Sequence, residues 1–401
     1  MIYNLFNLQL FCLATILSWI VPRQWHAFVF LPCGLAFIHQ YSPISVVMLY
    51  PFILLIGYLF LIQGRAKSRK QFSYNKTKAQ ILSVALWLVA WVPYGWYLQS
   101  YASFERKSFP YEILVLVLYN MARYYHVFYD VRHGQLPGVK TREFFAYVTF
   151  LPIAFGGPIE LMQEFVHYQR KKLKIYWKRV GIHLAKAFPC ALLAEFLVFY
   201  YNPFTFPFND ASLGNLLIYV FTIGWVIHLR LYSYIELTRA FACLMGYPFN
   251  APNFQKVYGA RSVASFWSRW NMSVGRWAMR YVLFKNFKEA DTKSFIKILV
   301  LYFALIGAAH GLETQYTLWG LLMGVGIAWN LLYLYLKYKS KFWLILDTRY
   351  FTVGLKRLLT ILYIHFSCVL LVPECEQIIV SFSQKTGINM DWFLFVLSIG
   401  W

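Results

Sequence analysis

Tyr316-Thr317-Leu318-Trp319-Gly320-Leu321-Leu322-Met323-Gly324-Val325-Gly326-Ile327-Ala328-Trp329-Asn330-Leu331-Leu332-Tyr333-Leu334-Tyr335-Leu336 runs for 21 residues without a charged side chain. A helix of that length covers about 30 Å, the thickness of bilayer hydrocarbon. The stretch predicts a transmembrane helix, and it has company. Runs long enough, or nearly so, recur at 5–20, 25–39, 43–62, 79–98, 111–128, 180–202, 212–229, 295–309, 356–373 and 388–401. They make about eleven spans. Of the 401 residues 60% are hydrophobic and 13% charged, where an average soluble domain has about one-quarter charged. The expected fold is all-α: a polytopic membrane protein in a single domain, 1–401, with no internal repeat or low-complexity tract.

The formal charge is +22, from 38 Lys and Arg against 16 Asp and Glu. In a soluble protein such an excess suggests nucleic acid. Here the cations gather between the spans, six in Gly64–Lys78, six in Arg170–Arg179 and three in Lys337–Lys341, as the positive-inside rule expects. Anionic lipid headgroups are the expected contact, not nucleic acid. With 64–78 cytoplasmic, Met1 falls outside, the region 230–293 is cytoplasmic or buried from that side, and the C-terminus ends inside. Met1-Ile2-Tyr3-Asn4 lacks a basic lead, so the first apolar run reads as a retained span. The apolar stretch Phe144 to Gly157 is interrupted by Pro152, Gly156 and Gly157, with Pro158 following. It reads as a re-entrant or buried element, because broken backbone survives at membrane depth only where protein or a cavity lines it. Glu160, just beyond, reads as a carboxylate at a helix N-terminus. The six cysteines show neither metal spacing nor pairing and read as inert thiols; Cys368 and Cys375 are the pair that could face the outside together.

The least membrane-like block is 230–293. Within it, Ala260 to Trp277 is rich in both Trp and Arg. On one continuous helix Phe266, Trp270, Ser273 and Trp277 share a face, while Arg269, Arg276 and Arg280 fall mainly on others. Such a helix reads as lying along the cytoplasmic interface. The functional alternative has Arg269 and Arg276 bordering a cavity for an anionic group such as a phosphopantetheine or coenzyme A tail. Asn271 either bonds the local backbone or donates its NH2 to an acyl carbonyl. Glu236, flanked by Arg230 and Arg239, reads as a solvated or salt-bridged structural carboxylate, or as an orienting group.

His310 stands in Ile306-Gly307-Ala308-Ala309-His310-Gly311, between the runs 295–309 and 316–336. An ionisable ring in an apolar setting is a functional candidate, with a satisfied interhelical histidine as the alternative. Ala308, Ala309 and Gly311 are small enough to let a backbone or an extended ligand approach. Imidazole suits abstraction of a hydroxyl proton near neutral pH. The chain carries no Gly-x-Ser-x-Gly elbow, His-Glu-x-x-His pair or P-loop, so direct transfer is expected in preference to a covalent intermediate. His126 and His133, seven residues apart around Tyr129-Asp130, make a poor metal set, and metal-free chemistry is expected. His167, His183, His228 and His365 read as interfacial or packed.

Ser265-Phe266-Trp267-Ser268-Arg269-Trp270-Asn271-Met272-Ser273-Val274-Gly275-Arg276-Trp277 resembles the Phe-Trp-Arg-Arg-Trp-His-Ile-Ser-Leu-x-x-Trp segment of the membrane-bound O-acyltransferase family. Gly307-Ala308-Ala309-His310-Gly311, then Leu318-Trp319-Gly320-Leu321 and Gly324, are similar to its Trp-His-Gly and Trp-Gly-Leu-x-x-Gly pattern. Phe155-Gly156-Gly157-Pro158-Ile159 resembles its Gly-Pro-Ile turn. Tyr234 to Tyr247 resembles its Tyr-Ser-Asp to Phe-Gly-Phe stretch, with Glu236 in place of Asp. The likeness is to the bacterial branch, the alginate O-acetyltransferases and the teichoic-acid D-alanylation membrane protein.

The resemblance implies a helical disc around a central tunnel, with an acyl thioester donor, acetyl-CoA or an acyl carrier, reaching it from the cytoplasm. It implies an extracytoplasmic glycan or lipid-linked acceptor, a periplasmic or extracellular acyltransferase partner, no tightly bound cofactor, and residence in a bacterial cytoplasmic (inner) membrane. His310 falls on the family's catalytic histidine, and Asn271 on its second catalytic position, His in many bacterial members and Asn in many eukaryotic ones. Trp267, Arg269, Trp270, Arg276, Trp277, Glu236 and Trp319 are expected to bind substrate or donor. Three departures stand out: Asn271 cannot take a proton, Ser268 replaces an Arg, and Ala309 replaces the Trp before the histidine. The expected activity is acyl transfer, acetyl preferred, to a hydroxyl of a cell-envelope polysaccharide. D-alanylation of teichoic acid, lipid or protein acylation, and a transporter without chemistry are the alternatives.

Overall fold

The computed structural model describes residues 5–39, 54–62, 111–283, 292–342 and 352–398, apart from 137, 155, 201–205, 209, 312 and 373. The sequence-predicted span at 79–98, most of the one at 43–62, and the basic run 64–78 lie outside them. Every regular element among the described residues is helical. They fall into two compact units, Met1–Ala185 with Tyr234–Asn250, and Lys186–Ser233 with Ala251–Trp401.

Among the described residues, four helices are long and apolar enough to cross a membrane: Trp177–Tyr200, Leu213–Leu244, Thr314–Lys339 and Val353–Leu371, the last including a terminal 3-10 turn. Asn7–Ile20 and Ser294–Ala308 are shorter apolar helices. The predicted run at 212–229 therefore continues through the first fifteen residues of the block read as cytoplasmic or buried from that side, as one helix of 32 residues. Local polarity rises there, but no Gly or Pro stops the helix before Leu244. Thr314–Lys339 shows how membrane sequence differs from soluble sequence. Its buried side carries Trp319, Met323 and Ile327, and its exposed side carries Leu322, Val325, Trp329 and Leu332. A helix that is apolar all round has lipid, not water, on its outer face. The chain is thus an all-α, multi-pass membrane protein.

The first unit contains helix α1 (Leu5–Ile20), helix α2 (His26–His39), helix α3 (Tyr111–Arg132), and the interrupted apolar stretch as helix α4 (Thr141–Thr149) and helix α5 (Leu151–Ala154). Phe144, Tyr147, Val148, Phe150 and Ala154 are all fully buried. A break at that depth exposes carbonyls that must find donors, and α3 supplies them. The buried Arg123 guanidinium donates to the carbonyls of Val148, at 3.1 Å, and Tyr147, and Asn120 donates to Ala154 O at 3.4 Å. The next helix, α6 (Met162–Gln169), receives its N-terminal bond from His126, whose Nε2 accepts the Met162 N–H at 3.2 Å. His133 donates to Tyr129 O at 2.7 Å, so the two histidines serve separate partners.

The second unit holds helix α7 (Val263–Trp267), helix α8 (Met272–Ala278), helix α9 (Thr292–Ala308), helix α10 (Thr314–Lys339), helix α11 (Val353–Ser367), helix α12 (Cys375–Thr386) and helix α13 (Asp391–Ser398). Helices α9 and α10 are packed backbone to backbone. A Cβ on Gly307 would lie 2.9 Å from the Gly320 Cα, and one on Gly320 the same distance from the Gly307 Cα. Only glycine at both positions permits that approach.

Candidate active site

The Trp and Arg segment is two short helices, α7 and α8, and not the continuous interfacial helix that its periodicity suggested. Phe266 and Trp270 are buried in the core of the second unit. The interruption is at Asn271, whose φ of 41° places it in the left-handed region. Asn and His are among the few non-glycine residues enriched there, a backbone reason for either type at this position.

Asn271 occupies the N-cap position of α8 but its side chain does not cap the helix. Asn253, buried and 18 positions upstream, does so instead. Its backbone carbonyl accepts from Met272 N at 2.8 Å, and its Oδ1 accepts from Ser273 N at 2.8 Å. A backbone N–H can only donate, so this bond fixes which way the Asn253 amide faces. Its Nδ2 then donates to Asn271 Oδ1 at 3.0 Å, and Ser273 Oγ reaches the same oxygen at 3.3 Å. With its oxygen engaged twice, the Asn271 carboxamide is oriented, its oxygen turned toward Asn253 and Ser273.

His310 ends the turn after α9: its backbone N–H donates to Gly307 O at 2.8 Å, and its Nδ1 donates to Ile306 O at 2.7 Å. A carbonyl only accepts, so the proton sits on Nδ1 and the lone pair on Nε2. The ring is half-buried. The space expected around the small neighbours is taken partly by the protein itself: the Gly307 backbone meets Gly320, and the Tyr316 ring fills the place of a Gly311 side chain.

An aromatic chain ties the two segments together. The His310 ring lies 5.0 Å from Trp319, Trp319 lies 5.9 Å from Trp267, Trp267 5.8 Å from Phe266, and Phe266 stacks at 5.7 Å on Trp270, the neighbour of Asn271. His310, Trp319, Trp267 and Trp270 are therefore gathered in one cluster. Arg269 donates to Lys256 O at 3.3 Å and Arg276 to Pro252 O at 2.7 Å, both pinning the 252–256 loop. Trp277 packs beside Tyr281 at 6.2 Å. Glu236 belongs to the first unit, where it is buried and bonded to His183 Nδ1 at 2.7 Å. Of the arginines expected to flank it, Arg230 pairs with Glu195 and Arg239 donates to Phe249 O.

Three further members join the cluster: His228 and His365, read from sequence as interfacial or packed, and Tyr258, which sequence reading did not single out. His228 packs on Trp270 at 4.6 Å and lies 5.4 Å from His365, and Tyr258 Oη sits 3.2 Å from His228 Nδ1. Gly224 makes room for His365, since a Cβ there would lie 2.5 Å from its Nδ1. Burial pushes the Tyr258 phenol well above its ordinary value, so it keeps its proton at neutral pH. These residues lie far apart in the chain, and no local spacing joins them.

Residues 107–372 match the family model described as MBOAT, membrane-bound O-acyltransferase family. The chain is 27% identical to the teichoic acid D-alanyltransferase of Bacillus subtilis over 44% of its own length and 48% of that relative. It is 26% identical to the probable alginate O-acetylase AlgI of Pseudomonas aeruginosa, over 50% of the chain and 39% of the relative. It is 24% identical to the membrane-bound O-acyltransferase GUP2 of Saccharomyces cerevisiae, over 44% and 29%. The matched region spans less than half the length of each of these relatives.

Proposed function

The chain belongs to the membrane-bound O-acyltransferase family, and on that premise we propose that it is an acyltransferase that moves an acyl group, acetyl by preference, from a thioester to a hydroxyl of a cell-envelope polysaccharide. The donor, acetyl-CoA or an acylated carrier, approaches from the cytoplasmic side of a bacterial inner membrane, and no cofactor stays bound. The acceptor is an extracytoplasmic glycan, delivered directly or through a periplasmic acyltransferase. Relatives named for alginate O-acetylation and for D-alanyl transfer to teichoic acid support a polymer acceptor.

The observation that carries the chemistry is the His310 Nδ1 bond to Ile306 O at 2.7 Å. It holds the ring in the tautomer whose Nε2 can accept a proton. In the proposed step, the acceptor oxygen bonds to the thioester carbon while His310 Nε2 takes the hydroxyl proton. The tetrahedral intermediate collapses, the carbon–sulfur bond breaks, and the departing thiolate receives that proton. Asn271, oriented by Asn253, positions the histidine or the carbonyl and exchanges no proton. Burial in an apolar helical setting keeps water from the thioester.

Purified protein in liposomes, supplied with labelled acetyl-CoA, acetylated carrier or D-alanyl carrier and envelope polysaccharide, tests the reading. His310→Ala is expected to slow transfer by about 10²–10⁴-fold with unchanged helix content. Equal rates in the two proteins would remove His310 from the chemistry. Turnover with only the D-alanyl donor would move the assignment to the Bacillus subtilis relative's activity.

A further inference from the structure

Trp319 and Trp267 meet edge to face, with planes at 69°. They come from different places in the second unit, Trp319 from the first turns of α10 and Trp267 from the last residue of α7. Trp319 is 5% exposed. The Nε1 atoms of both indoles are shielded from solvent, and neither has an acceptor among the described residues. An indole N–H can only donate, and buried donors in native proteins are almost always paired. The rings around them make the shortage plain: Phe303 lies 5.2 Å from Trp267, and Phe266 is its other ring neighbour. Phenyl rings fill such a space without adding an orphan donor. Two orphan donors, one of them 5.0 Å by ring centre from the His310 imidazole, call for an acceptor that arrives with the substrate.

The reactants of acyl transfer offer one atom that suits two donors. The attacking hydroxyl must face His310 Nε2, and the sulfur is a weak acceptor. The thioester carbonyl oxygen accepts two hydrogen bonds and gains a full negative charge as the carbon becomes tetrahedral. We propose that the Trp319 and Trp267 indole N–H groups bind the acyl carbonyl oxygen and stabilise the oxyanion. This rests on the acyl-transfer reading of His310. As the new carbon–oxygen bond forms, the carbonyl π pair moves onto the oxygen held by the indoles. When the carbon–sulfur bond breaks, the pair returns and the thiolate takes the proton from His310. Both indoles keep their protons throughout. Neutral donors suit an apolar site, because they add no charge that must be desolvated before substrate arrives.

The test removes the N–H and keeps the shape. Trp319→benzothienylalanine and, separately, Trp267→benzothienylalanine put sulfur in the place of N–H in a fused ring of nearly the same size. Each is expected to lower kcat by about 10–100-fold, with KM within about twofold and thermal unfolding unchanged. Unchanged kcat would reduce the indoles to packing and overturn the inference, as would a raised KM at full kcat. His310→Ala measured alongside separates the two ideas. If it is inactive while both sulfur analogues are active, only the oxyanion assignment fails. If it is active too, the acyl-transfer reading fails first. Should the analogues fold poorly, wild-type protein with 15N-labelled indoles and a ketone analogue of the thioester decides: two N–H resonances move downfield, or the inference is wrong.

Discussion

Each unit breaks a helix inside apolar sequence, and the two breaks are completed in different ways. At 141–160 in the first unit, side chains answer the backbone: Arg123 and Asn120 serve the carbonyls of Tyr147, Val148 and Ala154, and His126 serves Met162 N. At 263–278 in the second unit, Asn253 answers the backbone, but the buried Trp267 N–H, and that of Trp319 beside it, have no acceptor among the described residues. Both breaks meet the same physical demand, that polar groups away from water be paired. The first uses its polar side chains to serve its broken backbone, with Arg123 Nε itself left without an acceptor. The unpartnered donors of the second are two neutral indoles, and one of them packs against the His310 ring.

Removing the cation from the first break should have the largest effect on stability. Arg123→Leu strands the two carbonyls that the guanidinium serves, and a loss of about 3–5 kcal/mol is expected, since hydrogen bonds from a charged group are worth about 1.5–3 kcal/mol each. Thermal unfolding in detergent reads it, and the surviving folded protein should turn over with an unchanged KM. A stable Arg123→Leu protein without activity would place the guanidinium at the chemistry and erase the contrast between the breaks.

Asn253→Ala perturbs the other break more gently. Ser273 N loses its acceptor, at a cost of about 0.5–2 kcal/mol, as for a lost N-cap, and the Asn271 carboxamide loses the donor that orients it. We expect kcat to fall by about tenfold with little change in KM. Asn253→Asp sharpens this, because it keeps an acceptor for Ser273 N but turns an acceptor toward Asn271 Oδ1. It should therefore recover stability and not turnover. Recovery of both would show that the orientation of Asn271 does not matter.

The smallest effect belongs to the ion pair behind the first break. Burial raises the Glu143 carboxyl, but the hydrogen bond from Arg170 at 2.7 Å and the one from Lys140 N at 2.8 Å outweigh it and hold the group below its ordinary value. A carboxyl whose folded value is depressed stabilises the protein above its unfolded value and loses that contribution as pH falls through the folded one. Arg170 is 50% exposed, so solvent screening limits the contribution to about 0.2–1 kcal/mol. The difference in unfolding free energy between wild type and Glu143→Gln should be present at neutral pH and close below about pH 4. A gap that does not change with pH would show that the pair contributes nothing electrostatic.

How much of this was legible depends on the distance over which each interaction acts. The spans at 180–202, 295–309, 316–336 and 356–373 appear as helices within a few residues of their apolar runs, because hydrophobic length is a local property. Pro152, Gly156 and Gly157 marked the broken element, and it is broken and buried. Periodicity failed at Ser268–Asn271, where a continuous helix was expected. The left-handed turn at Asn271 is held by Asn253, outside any window of helical period. Glu236 looked to its sequence neighbours Arg230 and Arg239 for partners, and its observed partner, His183, is 53 positions away.

The sequence by itself determined that the chain is helical and lies in a membrane, and it singled out His310 and Asn271, since apolar length and a titratable ring in apolar surroundings can be read one segment at a time. Only the tertiary structure decided what those residues face. The glycine contact of α9 with α10 brings the His310 turn against Trp319, Asn253 orients the Asn271 amide, and two indoles whose N–H groups each lack an acceptor among the described residues pack together. Each of these is a contact between separate elements, and hydrogen-bond direction and ring packing are set by where the backbones cross, which no single segment specifies.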